Sequence, residues 1–441
     1  MRTFAHRTTR KTDTTPGLQG NDMSAMLDRI GQWIGRQARR HPADPVELMQ
    51  LAACRALPPA RLDELAAMAT LHDIEPGLVD PPTKAPRDTY LRSGSLQVQT
   101  RSGYVLTIDA DSPQAAYPIP LPPDSVTVYA AEPSRLLSLP ASADITGDQA
   151  AQPHEPPMNE QQRQDLARLR KRFAGGSSDL PSLPDLALRI GRAIDDSANS
   201  NRDIARVIQL DPALTARMLS IVNSAAFGGY RKISTITQAT TRLGRARVRS
   251  LVYSCLVRSI FKINSRALES RMEKIWDRSV SVAALSFVLA RETPGVDAEQ
   301  AMLAGLTHAI GAVAVLGGVR HFPSIAGNTD LLDFAIATLG VEAGIASVRQ
   351  WDQNEDLETV IRGAGNWQRI GWAVPDTLDI VNLAILHAAV GKPEARNMPP
   401  IDRVPAFDKL AHGKLSPHRS LQLLEEADKD VREVRRLLSH G

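Results

Sequence analysis

The hydrophobic period changes once along this chain, and that change constrains the fold more than any other feature. From Leu91 to Gln99, and again from Tyr104 to Ile108, apolar and polar residues alternate around a turn at Arg101-Ser102-Gly103, as in half-buried strands. Two further runs, Ser125 to Tyr129 and Arg135 to Leu139, follow connections rich in proline (Pro118, Pro120, Pro122, Pro123, Pro133). From Leu180 onward almost every apolar residue recurs at helical spacing instead. The expected fold class is multidomain α+β, with a small N-terminal antiparallel β unit followed by an all-α region. The 441 residues leave room for two or three domains at roughly 100–200 residues each.

Helices are also expected on the N-terminal side of the β unit. Leu27, Ile30, Trp33 and Ile34 share one face, and Leu62, Leu65, Ala66 and Ala69 do so after Pro58-Pro59. A polar, proline-containing linker spans 141–157, and a charged helix runs from Asn159 to Phe173, ending at Gly175-Gly176. Ser200 and Asp203 have capping-box spacing before the face Ile204, Val207, Ile208. Asp211-Pro212 opens a helix with the stripe Leu214, Met218, Ile221, Val222, closed by Gly228-Gly229. Val248, Leu251, Val252, Cys255, Leu256 and Ile260 make the cleanest amphipathic stripe. The twenty residues from Gln300 to Val319 carry no charge but include Thr307, His308 and four glycines. They are read as a buried helix that breaks at Gly317-Gly318 into a loop, not as a membrane span.

Composition removes several functions. Lys plus Arg number 52 against 49 Asp plus Glu, and a net charge of +3 is too small for a dedicated nucleic-acid binder. The two cysteines, Cys54 and Cys255, fit neither a disulfide framework nor a zinc motif, which points to a reducing, cytoplasmic location. Arg2, Arg7, Arg10 and Lys11 resemble a signal n-region without an apolar segment behind them. Residues 1–23 are read as a disordered arm, with Met23 as an alternative start.

Three strings then occur in order: Leu180-Pro181-Ser182-Leu183-Pro184, Asp211-Pro212-Ala213-Leu214-Thr215-Ala216-Arg217 and Asn223-Ser224-Ala225-Ala226-Phe227-Gly228. Together with Ile233 to Gly244 and Ala304-Gly305-Leu306-Thr307-His308-Ala309-Ile310-Gly311, they closely resemble the HD-related output domain, HDOD, over Leu180 to Ala389. The resemblance implies an all-α relative of metal-dependent HD phosphohydrolases, whose histidines and aspartates hold a divalent metal that activates water. It also implies that this chain has lost those ligands. Arg278 stands where a histidine is expected, His308 is followed by Ala309 instead of aspartate, and Ile385 stands in the late Ala-Asp step. Ile361-Arg362-Gly363-Ala364-Gly365 lacks a His-His pair, and Asp379 is too far round its helix from Ile385 to substitute. His308 is read as a core histidine bonded to a backbone carbonyl, and no metal or other cofactor is expected.

More weakly, the N-terminal unit resembles a cyclic-nucleotide-binding jelly roll. The match rests on Leu57-Pro58-Pro59-Ala60-Arg61-Leu62, on Tyr90 to Val98, and on Thr127-Val128-Tyr129-Ala130-Ala131 running into Leu136-Leu137-Ser138-Leu139-Pro140. Ala115-Ala116-Tyr117-Pro118 replaces the glycine-rich, arginine-ended phosphate cassette, so a sensory or packing module without its ligand is expected. The domains are then 1–23, the arm; 24–140, the degenerate cyclic-nucleotide-binding-like unit; 141–176, linker and helix; 177–391, HDOD; and 392–441, a C-terminal helical extension.

Arg231, Lys232, Arg242, Arg245, Arg247 and Arg249 put six cations and no acid into residues 231–249. Three of them stand at a helix start, where the macrodipole disfavours positive charge, so something negative is expected nearby. A structural acidic partner, an acidic protein and a phosphate-bearing ligand or nucleic acid all stay open. The resulting expectation is a non-catalytic regulatory protein that binds a protein partner in signal transduction and does not engage a membrane. The alternatives are a residual phosphohydrolase and a nucleotide or nucleic-acid binder using Arg242 to Arg249. Homo-oligomerisation is also left open.

Overall fold

The computed structural model describes residues 43–79, 87–99, 105–120, 127–141, 153–174, 180–227, 232–263, 265–351, 355–410 and 428–439. The arm at 1–23, the Leu27 to Ile34 helix, the Arg101-Ser102-Gly103 turn, Gly228-Gly229 and Arg231 fall outside them. Among the described residues, two short helices, α1 (Pro45–Leu48) and α2 (Pro59–Met68), are followed by seven strands: β1 (Thr70–Ile74), β2 (Gly77–Leu78), β3 (Arg87–Ser93), β4 (Ser95–Gln99), β5 (Val105–Asp109), β6 (Thr127–Ala130) and β7 (Ser134–Pro140). They form two antiparallel sheets, ordered β1-β7-β3 and β2-β6-β4-β5. β5 alternates exposed and buried residues along its length, which is the pattern that betrayed it in the sequence.

Two readings of this unit need correction. Leu91 to Gln99 is not one strand, because the chain leaves the first sheet at Ser93 and enters the second at Ser95. Gly94 makes the corner at φ +90°, where a Cβ would stand 2.1 Å from Ser134 Oγ, so only glycine fits. β1 and β2 were not anticipated. Leu71 and Ile74 stand three apart and so do not alternate, β2 is only two residues long, and β1 exists because each of its residues pairs with β7.

The helical region begins with α3 (Glu160–Ala174) and continues with α4 (Asp185–Asp195), α5 (Asn201–Ile208), α6 (Pro212–Val222), α7 (Ile236–Leu243), α8 (Arg245–Leu256) and α9 (Arg266–Arg291). Then follow α10 (Ala298–Thr307), α11 (Ile310–Val319), α12 (Pro323–Ala326), α13 (Thr329–Arg349), α14 (Glu355–Gly363), α15 (Thr377–Ala389), α16 (Pro405–Leu410) and α17 (Asp428–Ser439). The expected caps are present. Ser200 and Asp203 form a reciprocal capping box on α5, and Asp211 accepts from the N–H groups of Ala213 and Leu214 at 2.8 and 2.9 Å ahead of Pro212. α9 is a 26-residue central helix against which α10, α15 and α17 pack.

The uncharged stretch is buried, but its helix does not break where the glycine pair suggested. It breaks at His308-Ala309, and Gly317-Gly318 lies inside α11. Gly318 is there for space, since a Cβ would meet Leu169 at 2.6 Å and Phe173 at 3.0 Å on α3.

The two regions meet along a shared apolar core. Ile370 and Ala373, on the connection between α14 and α15, are buried with Tyr90, Leu96, Ile108 and Leu137 of the β unit. The Ala373 N–H also donates to Pro118 O at 2.7 Å.

Candidate functional site

The positions at which the sequence suggested lost metal ligands lie on mutually packed elements: Arg278 on α9, His308 and Ala309 at the α10–α11 junction, and Ile385 on α15. His308 Nδ1 lies 2.7 Å from Gly305 O. A carbonyl only accepts, so the Nδ1 carries the proton and Nε2 the lone pair. Burial pulls the imidazole pKa down to about 4, the carbonyl bond opposes this, and the charge of Arg278 adds to it. His308 is therefore a neutral ring at neutral pH. Arg278 is itself partly desolvated, which lowers its pKa, while Glu394 pulls the other way. Ile385 is buried in the core. One imidazole lone pair under the repulsive charge of Arg278, with an alanine and an isoleucine at the other two positions, supplies too few donors for a divalent ion. Among the described residues, no three His, Cys, Asp or Glu side chains stand together to hold a metal.

The three arginines of α8 each find partners within the protein. Arg245 donates to Ile194 O at 3.5 Å, to Asp196 O at 3.3 Å and to Asn199 O, all around the C-terminal end of α4. Arg249 pairs with Asp195 on the same helix end. Arg247 Nε reaches Asp297 at 2.9 Å and Glu299 at 3.4 Å on the far side. These cations answer the negative end of the α4 dipole and the acids Asp297 and Glu299 at the start of α10, which accounts for their place at a helix start. Glu299 is buried, and its carboxyl is pushed up to about 7, first by burial and then by Asp297, with Arg247 opposing. Arg242 is also engaged.

A second constellation carried no sequence signal. Lys409 on α16 and Asp379 on α15 are both fully buried, with Nζ 2.6 Å from Oδ2. Arg369 joins them, donating to Asp379 at 3.1 Å and to Asp376 at 2.5 and 3.0 Å. Asp376 and Asp379 also cap α15 reciprocally. Next to this cluster the Tyr117 hydroxyl donates to Asp408 at 3.0 Å, Arg55 pairs with Asp408 at 3.3 Å, and Lys409 Nζ lies 5.7 Å from the Tyr117 ring centroid. Burial raises the Asp379 pKa, helped by the charge of Asp376, while Lys409 and Arg369 hold it down. Asp379 is no substitute metal ligand in this arrangement, since both of its oxygens are taken by cations. The helix instead aims it at cations supplied from distant parts of the chain.

Residues 180–361 match the HDOD domain family. The chain contains an HDOD domain. A curated relative from Treponema pallidum (strain Nichols), an uncharacterized protein, is 25% identical over 225 residues, which is 47% of this chain and 41% of the relative. The HDOD protein thus spans about two fifths of that relative's length. An HDOD domain protein of unknown function from Geobacter sulfurreducens is similar at 22% identity over 63% of this chain and 98% of that one, with a TM-score of 0.44. A protein of Shewanella amazonensis SB2B, named provisionally as a metal-dependent phosphohydrolase, is similar at 21% identity over 58% of this chain and 99% of that one, with a TM-score of 0.46. The sensor domain of the transcriptional regulator DNR from Pseudomonas aeruginosa is similar at 21% identity over 22% of this chain and 73% of that one, with a TM-score of 0.17.

Proposed function

We propose that this HDOD domain protein is a non-catalytic regulator that acts in signal transduction by binding another protein. One observation carries the reading. The surviving histidine, His308, is a neutral ring tied to Gly305 O and subject to the charge of Arg278, and Ala309 and Ile385, the positions where the resemblance expects further ligands, carry only alkyl groups. A divalent ion brought there would meet one lone pair and a guanidinium that keeps its charge at any usable pH. The internal engagement of Arg245, Arg247 and Arg249 favours protein binding over the nucleic-acid alternative, because those charges already have partners.

The test is elemental analysis of the full-length chain after gentle purification. Manganese, iron and zinc are expected far below one per chain, and Ala309→Asp alone is expected to leave that unchanged. Combining Arg278→His, Ala309→Asp and Ile385→Asp is expected to raise metal uptake. Stoichiometric metal in the unmodified protein overturns the reading in favour of a hydrolase.

A further inference from the structure

The terminal helix α17 sits on α6, on α9 and on the turn Ala225–Phe227, and the bonds it makes there are specific. The Ala226 N–H has an acceptor in Glu433 Oε2 at 3.2 Å, while Ala226 O accepts from Arg291 at 2.6 Å. Arg291 also donates to Asp430 at 2.9 Å. At the other end, Arg217 donates to Leu437 O at 3.1 Å and Leu438 O at 2.8 Å, and its remaining arm donates to Cys255 O at 2.9 Å. Arg217 therefore binds carbonyls that the end of a helix leaves without partners, and Arg291 binds one acid, Asp430, in the opposite half. This pair of cations fixes the direction in which a helix can lie. Between them only Val434 and Leu438 are fully buried, with Val431 and Leu437 partly so.

This is a modest apolar contact for a twelve-residue helix, since ordering such a segment costs entropy at every residue. Helices held this way come from the low-stability end of a structure. The turn they cover belongs to the Asn223 to Phe227 segment, held from beneath by Asn223, which bonds Ile233 through both its backbone groups at 2.7 Å, and by Phe227 stacked on Phe287 at 4.5 Å. The turn is thus built independently of α17, and it presents the Ala226 N–H between Arg217 of α6 and Arg291 of α9 to whatever lies there.

We propose that this seat is an interaction surface, that α17 is its in-chain competitor, and that the occupant is an amphipathic helix of a partner protein. That helix carries two acids three residues apart, as Asp430 and Glu433 do. Apolar residues follow the second acid by one and five positions, as Val434 and Leu438 do, and the helix ends within reach of Arg217. The proposal rests on the reading of the protein as a binding regulator and names the surface that binds.

The test uses the full-length chain and a fluorescent peptide of residues 426–441 as the probe. In Val434→Asp/Leu438→Asp the chain's own helix is expected to leave the seat, so the peptide binds saturably and at least tenfold more tightly than to the unmodified chain. Adding Arg217→Ala and Arg291→Ala is expected to remove that binding. Hydrogen exchange on the unmodified chain provides an independent measurement should the double variant fail to fold. Amides 431–438 are expected to exchange at least a hundredfold faster than those in the middle of α9. Absence of saturable peptide binding to a folded double variant overturns the proposal, and so does exchange of α17 only together with α9. A micromolar dimer that the double variant loses overturns the separate partner and assigns the seat to a second copy. In each of these failures the metal content stays near zero, so the regulator reading is judged separately.

Discussion

Lys409 Nζ lies 2.6 Å from Asp379 Oδ2, and neither residue has any exposed surface. Lys409 stands at the same time 5.7 Å from the Tyr117 ring, so a buried charge pair of the helical region is in direct contact with the β unit. Buried ions cost free energy unless every charge is answered, and here the answering groups come from α15, from α16 and from Arg369 on the connection before α15.

The two members of this pair are not equivalent. Asp379→Leu leaves Lys409 buried without its carboxylate and also removes half of the α15 capping box, and a loss of about 3–5 kcal/mol is expected. Lys409→Met leaves Asp379 still paired with Arg369 and is expected to cost less. Urea unfolding of both variants checks the order, and equal losses would contradict it.

The same contact bears on how the halves behave when the chain is cut. A protease site inserted after Thr146 and cleaved is expected to give two fragments that co-elute, because Ile370 and Ala373 sit in the β-unit core and Tyr117 bonds Asp408. Size-exclusion chromatography of the nicked protein at micromolar concentration is the measurement. Separation into free fragments would show that the shared core is too weak to hold them.

Glu299 gives a pH dependence with a definite sign. Its folded pKa of about 7 lies above the unfolded value of 4.5, so the stability from holding that proton is full below about pH 4.5 and is lost as pH rises through 7. His72, His308 and His387 have lowered values and act in the opposite sense, their contribution being lost as pH falls below 6.5. The Glu299 effect is therefore read as a difference. The Tm of Glu299→Gln minus that of the unmodified chain is expected to become more positive between pH 5 and pH 8, and a constant difference would refute it.

Gly311 and Gly340 mark where α11 and α13 cross with their backbones in contact. A Cβ on Gly311 would stand 1.9 Å from Gly340 O, an atom that cannot swing aside. Gly311→Ala is expected to cost at least ~1–3 kcal/mol, despite the better helix propensity of alanine, measured by denaturant unfolding. A neutral or stabilising result would mean that the helices separate at no cost.

Much of this protein was legible in its residues, because periodicity and caps are local. The alternation in β5, the Ser200–Asp203 capping box and the Asp211-Pro212 helix start depend on neighbours within a few positions, and the HDOD motifs are read as strings. The absence of donors at Ala309 and Ile385 is likewise a property of the side chains themselves. What the residues could not disclose are relations between distant segments. The pairing that creates β1, the spaces that need Gly318 and Gly311, the carboxylates that answer Arg247 and Arg249, and the meeting of Lys409 with Asp379 arise only when packing brings those segments together. Sequence determined the local periods, the caps and the order of the HDOD strings. Tertiary structure decided where each charge finds its partner, because an electrostatic contact depends on separation in space and not along the chain.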